Sequence, residues 1–490
     1  MEISQKKNYL FPILTIHTLF IILFYSIFYY LKNFIPFEYE IDSFIYFNIS
    51  ESLRTFSFPI KETFGMSPIY PVFLSFTSFF INGFKNLIFF NILCSFFCIF
   101  FLFNILKTKY SQKTAVITTF IIISNPFFNN IIFSGFSEML FYTLTLFSIF
   151  LLNKKHCKTG IFFNILALNI RPEFIFINLF IIFRDKQDFL KKFLISILSF
   201  IIILLSVSSL TTDHSQPFFN KFVLFSTVFQ KYSQIEDIKK DSFLEEIYFH
   251  IDEGYDKKSV NTTVSRLKEN FSIISYIINY PINYLKNFFR VIKIYFNHFH
   301  YLLFLFLLFA RLKIKKIPLF ILLSPFFIIS LFPIETWEYR YFIYTIFFLS
   351  FFISLNIKKF TAIFIISAFY IISFFYNFNF YSSYTEFFDY VKFFKTESIN
   401  NSKVICSNKW LEYFTKNNYY PNPPFTDNLN KYNNYIKDNK IDFVIIDNNV
   451  INYGNRFFNS QLIDYLNLNC KRLNQNIPYI YKVKNSEELH

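Results

Sequence analysis

The chain repeats one pattern: a long apolar run, a short connector rich in lysine or arginine, then another apolar run. Runs of about 17–25 apolar residues match the hydrocarbon thickness of a bilayer when helical, and a helix satisfies its own backbone polar groups there. The pattern excludes a water-soluble globular core and predicts a polytopic all-α membrane protein. Phe supplies 80 of the 490 residues, and Ile, Asn, Lys and Tyr are abundant, as an AT-rich genome would encode. Phe stripes therefore carry no special meaning here, because Phe often stands where Leu would serve.

The net charge of +15 sits in the connectors. Lys6 and Lys7, Lys107 to Lys113, Lys154 to Lys158, Arg184 to Lys192, Arg311 to Lys316, and Lys358 with Lys359 carry the excess, and the rest of the chain is neutral. This is the distribution of a positive-inside topology signal, not of a nucleic-acid-binding face. Spans are expected at about 9–31, 86–106, 114–132, 138–152, 191–210, 291–310, 317–333, 341–356 and 360–377. Residues 69–81 are apolar but too short to cross, and Pro68 and Pro71 interrupt them, so an interfacial or half-inserted helix fits better. The first span, behind Lys6 and Lys7 and without a cleavage site, reads as a retained signal anchor.

Residues 159–183 are apolar and flanked by basic clusters on both sides, so an even number of crossings is required. Arg171-Pro172-Glu173 lies in their middle, where proline disfavours helix before it and two charges would be costly in one straight span. A pair of short helices with an outward-reaching tip satisfies both conditions. With this pair the count is about eleven crossings, placing the N-terminus in the cytoplasm and the C-terminus outside. The division expected is a transmembrane domain at 1–377, with large external segments at 32–85 and 211–290, and a C-terminal extracytoplasmic α/β domain at 378–490. In that last domain Val404 to Cys406, Ile441 to Asp447 and Pro478 to Val483 read as strands. Helices read at 384–396, 408–417, 427–439 and 459–468, and also at 218–249 and 259–280 in the larger external segment. Residues 281–290 read as an amphipathic lead-in along the membrane. A Cys406–Cys470 disulfide is open to the domain if it is extracytoplasmic.

The first external segment, Glu38 to Phe80, concentrates chemistry. Glu38, Glu40 and Asp42 fall within five residues, followed by Tyr46, Glu51, Arg54 and Met66-Ser67-Pro68-Ile69-Tyr70-Pro71. Further on come Ser137-Glu138, opening the fourth span, and Arg340-Tyr341, opening a late one.

The order of these features resembles the GT-C class of membrane glycosyltransferases, in particular its protein-mannosyltransferase-like and aminoarabinose-lipid-transferase-like (family 39-type) group. The matching positions are Asp42 with Tyr46, Pro68-Ile69-Tyr70-Pro71, Ser137-Glu138, Arg171-Pro172-Glu173 and Arg340-Tyr341, over about residues 9–377. The resemblance implies an integral-membrane enzyme of a bacterial inner membrane. It would move a sugar from a polyprenyl-phosphate-linked donor to a glycan, lipid or protein acceptor on the outer face, with inversion. Asp42 or Glu40, here separated by Ile41 where the family often has adjacent acids, would be the base. Tyr46, Tyr70, Glu138, Arg171, Glu173, Arg340 and Tyr341 would bind substrate, with cations beside the leaving phosphate. No cofactor is implied with certainty, and the sequence has no obvious ligand set for a divalent metal. The expected partners are the lipid donor, the acceptor and membrane lipids, with no nucleic acid.

Each residue also has a plainer reading. Asp42 suits a solvated loop acid or a helix N-cap, and Glu138 a dipole-stabilised helix acid. Arg171 suits an ion pair with Glu173 or an interfacial snorkel, and Arg340 a pair with Glu335 or Glu338. Interfacial tyrosine, and Trp337, are expected background. His298 and His300 do not share a helix face. A transporter or flippase of lipid-linked saccharides is the rival class, and an O-antigen polymerase- or ligase-like enzyme a nearer one. Transport favours charges or breaks near mid-span, whereas these charges lie at span ends.

Overall fold

The computed structural model describes residues 9–39, 41–57, 67–171, 174–183, 188–210, parts of 281–293, residues 350, 353–354 and 357–420, and then 429–447, 460–474 and 478–483. Among the described residues before 211 the helices are α1 (Leu10–Lys32), α2 (Ile41–Arg54), α3 (Ile69–Ser78), α4 (Lys85–Lys109), α5 (Gln112–Ile123), α6 (Pro126–Ser134), α7 (Glu138–Asn153), α8 (Cys157–Ile170), α9 (Ile175–Phe183) and α10 (Phe189–Leu210). They are followed by α11 (Lys359–Ser382) and α12 (Thr385–Thr396). The rest is β1 (Lys403–Ile405), α13 (Leu411–Thr415), β2 (Asn418–Tyr420), α14 (Leu429–Asn439), β3 (Phe443–Ile446), α15 (Ser460–Asn469), β4 (Cys470–Arg472) and β5 (Tyr479–Val483).

The chain forms two compact units. Among the described residues, one comprises those up to 38, from 45 to 210 and from 281 to 380, the other 39, 41–44 and those from 381 onward. Among the described residues four helices are long and apolar enough to cross a membrane: α1, α4, α10 and α11. A fifth crossing results if α5 and α6, bent by 59° at a short break, count as one. The protein is thus a helical membrane protein with a small C-terminal sheet. The spans expected at 291–310, 317–333 and 341–356, and the helices at 218–249 and 259–280, lie outside or almost wholly outside the described residues; the described residues of 281–290 are helical.

Within the first unit, sequence signals set the helix ends. Ser111 caps α5 by accepting from the Thr114 amide at 3.1 Å. The stretch expected as a span at 114–132 is built of two helices. Asn125 breaks it and caps α6, its Oδ1 accepting from the Phe127 amide at 3.0 Å, with Pro126 at the first helical position. Gly135 ends α6 at φ 71°, in the left-handed region that glycine enters without strain. Helix α8 stops at Ile170 because Arg171 precedes proline, and Arg171 is extended (φ −136°, ψ 82°). The pair of short helices expected in 159–183 is therefore present as α8 and α9.

The segment expected as an external loop is helical from Ile41. Ile45, Ile49 and Leu53, four residues apart, give α2 a buried stripe, and Arg54 pairs with Glu51 at its exposed end. Helix α7 lies between α4 and α8. Gly160 allows the close approach of α7 and α8: a Cβ there would fall 2.8 Å from Leu152 Cγ and 3.3 Å from the Leu152 amide nitrogen. Ser148 Oγ also donates to the Gly160 carbonyl at 2.7 Å. Gly160→Val is expected to destabilise the protein by about 1–3 kcal/mol through overpacking, read as a lowered thermal midpoint in detergent.

In the second unit the five strands form one sheet in the order β2-β1-β3-β5-β4. Strands β2, β1 and β3 run parallel, and β5 pairs antiparallel to both β3 and β4. All four residues of β3, Phe-Val-Ile-Ile, are buried, as a strand covered on both faces requires. Val444 and Ile446 join Tyr432 and Ile436 of α14 and Leu462 and Leu466 of α15 in the core. Phe443, on the opposite face by alternation, meets Phe394 of α12 with ring centroids 5.4 Å apart. The two unexpected strands, β2 and β4, are the polar edges.

Cys406 and Cys470 are both free and buried. The disulfide open to them does not form. Cys406 follows β1 and Cys470 opens β4, with β3 and β5 between those strands. Three inter-strand steps of about 4.8 Å exceed the roughly 7 Å that a disulfide can span. Burial pushes the Cys406 thiol up, so it remains a protonated core group.

Candidate functional site

The first unit gathers four of the residues singled out from the sequence, each from a different helix. Tyr46 comes from α2, Tyr70 from α3, Glu138 from the first turn of α7, and Arg171 from the end of α8. All four are buried.

Glu138 and Arg171 form a direct ion pair through Glu138 Oε1 and an Arg171 terminal nitrogen, with side chains 2% and 8% exposed. At that depth the two charges are far less screened than at a surface, and each compensates the burial cost of the other. Placing Glu138 at the start of α7 adds favourable interaction with the helix dipole. Of the readings open to Arg171, neither included Glu138; the partner expected in sequence, Glu173, lies outside the described residues.

Tyr46 and Tyr70 meet edge to face, with centroids 4.9 Å apart and rings at 76°. The Tyr46 hydroxyl lies 3.3 Å from Ser137 Oγ, beside Glu138. Tyr70 shares its hydroxyl proton between Asn91 Oδ1 (3.2 Å) and the Gly135 carbonyl (3.1 Å). Asn91 in turn donates to the carbonyls of Ile131 (3.3 Å) and Phe136 (3.2 Å). The Tyr70–Asn91 pair therefore ties α3 and α4 to the turn between α6 and α7, which carries Ser137 and leads into Glu138. Tyr70→Phe is expected to cost about 1–3 kcal/mol by leaving buried acceptors short of a donor, with the thermal midpoint as the check.

Sequence reasoning missed Asn91 and Ser95, which lie inside an apolar run, and His17, whose Nε2 sits 3.3 Å from Ser95 Oγ in the helix interior. The available signal was a polar residue within a span, which is rarely placed without a partner.

Asp42 stands in the first turn of α2, half-buried, and belongs to the second unit with residues 39–44. Glu40, Glu173, Arg340 and Tyr341 lie outside the described residues, as do His298, His300 and Trp337. Among the described residues no group of three or more His, Cys, Asp or Glu side chains could hold a metal ion. Neither a protein-family model nor a curated protein sequence matches the chain.

Proposed function

We propose that the chain is a GT-C-type glycosyltransferase that moves a sugar from a polyprenyl-phosphate-linked donor to a glycan, lipid or protein acceptor at the outer face of a bacterial inner membrane. About eleven crossings and a cytoplasmic N-terminus belong to the same proposal. The observation that carries it is convergence. Tyr46, Tyr70, Glu138 and Arg171, which carry the resemblance by their order along the chain, meet in one buried cluster.

In this reading the acceptor oxygen bonds to the anomeric carbon from the face opposite the phosphate. The bond to the phosphate oxygen breaks and leaves the polyprenyl phosphate, while Asp42, or Glu40, takes the acceptor proton. Arg171, held by Glu138, and Arg340 supply positive charge for the departing phosphate; Glu173, Tyr46, Tyr70 and Tyr341 shape the substrate site. No metal or cofactor is assigned a step.

One observation favours transport as a second reading. The 59° break between α5 and α6, with buried Asn125 and Asn129 beside it, is the kind of interrupted helix that builds transporter sites. Mass spectrometry of lipid-linked and surface glycans, from cells with and without the gene, separates the two. A single missing sugar with its polyprenyl-phosphate donor accumulating supports transfer. Whole lipid-linked saccharides trapped on the cytoplasmic side support transport, and unchanged glycans overturn both.

A further inference from the structure

The segment Tyr39–Phe44 lies far from the C-terminal residues in sequence, yet it belongs to the same compact unit as the α/β sheet. Its attachments are specific. Asn408, just beyond β1, donates from Nδ2 to the Tyr39 carbonyl at 2.8 Å, while its Oδ1 accepts from the Trp410 amide at 3.0 Å. Trp410 is fully buried, and its indole Nε1–H donates to Ser43 Oγ at 3.3 Å. The indole packs edge-on against Tyr39 (centroids 5.9 Å) and Phe44 (5.2 Å). The Lys409 ammonium lies over the Phe44 ring at 5.5 Å, and Phe387, Phe388 and Phe414 enclose Tyr39.

Tyr39, just before α2, and Ser43 and Phe44, in its first turn, are thus fixed, and Asp42 lies between them. With residues on both sides of it held, this stretch of backbone cannot rotate or slide, so the Cα–Cβ bond of Asp42, from which the carboxylate extends, has one direction. Catalytic carboxylates need this: a displacement of about 1 Å can cost 10²-fold in rate.

We infer that the C-terminal α/β unit clamps the first turn of α2, and that Asn408 and Trp410 are positioning residues for Asp42. This rests on the reading of Asp42 as the base. The clamp also accounts for a sheet domain appended to a membrane enzyme: it sets the base rather than merely covering it.

The test uses the full-length protein in detergent or nanodiscs with Asn408→Ala, Trp410→Phe and Trp410→Ala, beside Asp42→Asn. Two readouts are taken: hydrogen exchange of the amides of residues 39–46, and transfer kinetics with a polyprenyl-phosphate-sugar donor. Asn408→Ala and Trp410→Ala are expected to raise exchange in 39–46 at least tenfold and to lower turnover about 10²-fold, with the KM for the lipid donor unchanged. Trp410→Phe keeps an aromatic ring, though a smaller one, but loses the N–H donor, and is expected to fall between Trp410→Ala and wild type. Unchanged exchange overturns the clamp. Raised exchange with unchanged turnover, where Asp42→Asn is inactive, overturns the positioning role. If Asp42→Asn is fully active, the base reading fails by itself, and the exchange measurement alone decides whether the clamp exists.

Discussion

Asp42→Asn is expected to lower sugar transfer by about 10²–10⁴-fold, the range for loss of a general base, while membrane abundance stays at the wild-type level. The amide has the size and hydrogen-bonding reach of the carboxylate but cannot accept the acceptor proton. Its structural cost is small. Asp42 lies in the first turn of α2 and is half-buried; removing its charge forfeits a helix-dipole interaction of about 0.3–1 kcal/mol. The contacts that hold this turn are made through Tyr39, Ser43 and Phe44, whose side chains and backbone the substitution leaves in place. Immunoblotting of membranes beside mass spectrometry of surface glycans separates chemistry from folding. Loss of one sugar at normal abundance keeps Asp42 as the base. Retained transfer moves the role to Glu40, the alternative base.

What could be read from the sequence depended on whether a feature is local. The helix end at Arg171-Pro172, where proline stops α8, was legible, whereas the Ser111 cap of α5 stands three residues before the expected start of the span at about 114. Asn125-Pro126 and Gly135 carried the same kind of signal for α6, but the apolar run around Asn125 masked the break and gave one span where two helices stand. The α/β core was legible because Phe443–Ile446 is a continuous apolar run and Ile436, Tyr432 and Leu429 recur at helical spacing. Strands β2 and β4 were not, since edge strands such as Asn418–Tyr420 and Cys470–Arg472 have one partner and need no apolar alternation. In the candidate site the residues were legible but their partners were not. In sequence the near partner of Arg171 is Glu173, whereas the ion pair joins it to Glu138 across two helices. The same holds for Tyr39–Phe44, whose attachment to Asn408 and Trp410 spans most of the chain and leaves no local trace.

Breaking the Glu138–Arg171 pair from one side is expected to destabilise the protein by about 3–5 kcal/mol, because a charge is left buried without its counter-ion. Arg171→Met and Glu138→Leu should each show this as poor recovery of monodisperse protein and a sharply lowered thermal midpoint. Removing both charges is different. With side chains only 2% and 8% exposed, the pair stands where apolar replacements of similar volume are often neutral or even stabilising. The double variant Glu138→Leu/Arg171→Met is therefore expected to recover abundance and midpoint to within about 1 kcal/mol of wild type. Its chemistry should not recover. If Arg171 meets the leaving phosphate, the folded double variant loses transfer. Arg171→Lys keeps the charge but not the planar fork of donors, and should retain partial activity with a raised KM for the lipid donor. A double variant that is both folded and fully active would reduce the pair to a strut joining α7 to α8, and would leave Arg340 as the cation on which the phosphate reading depends.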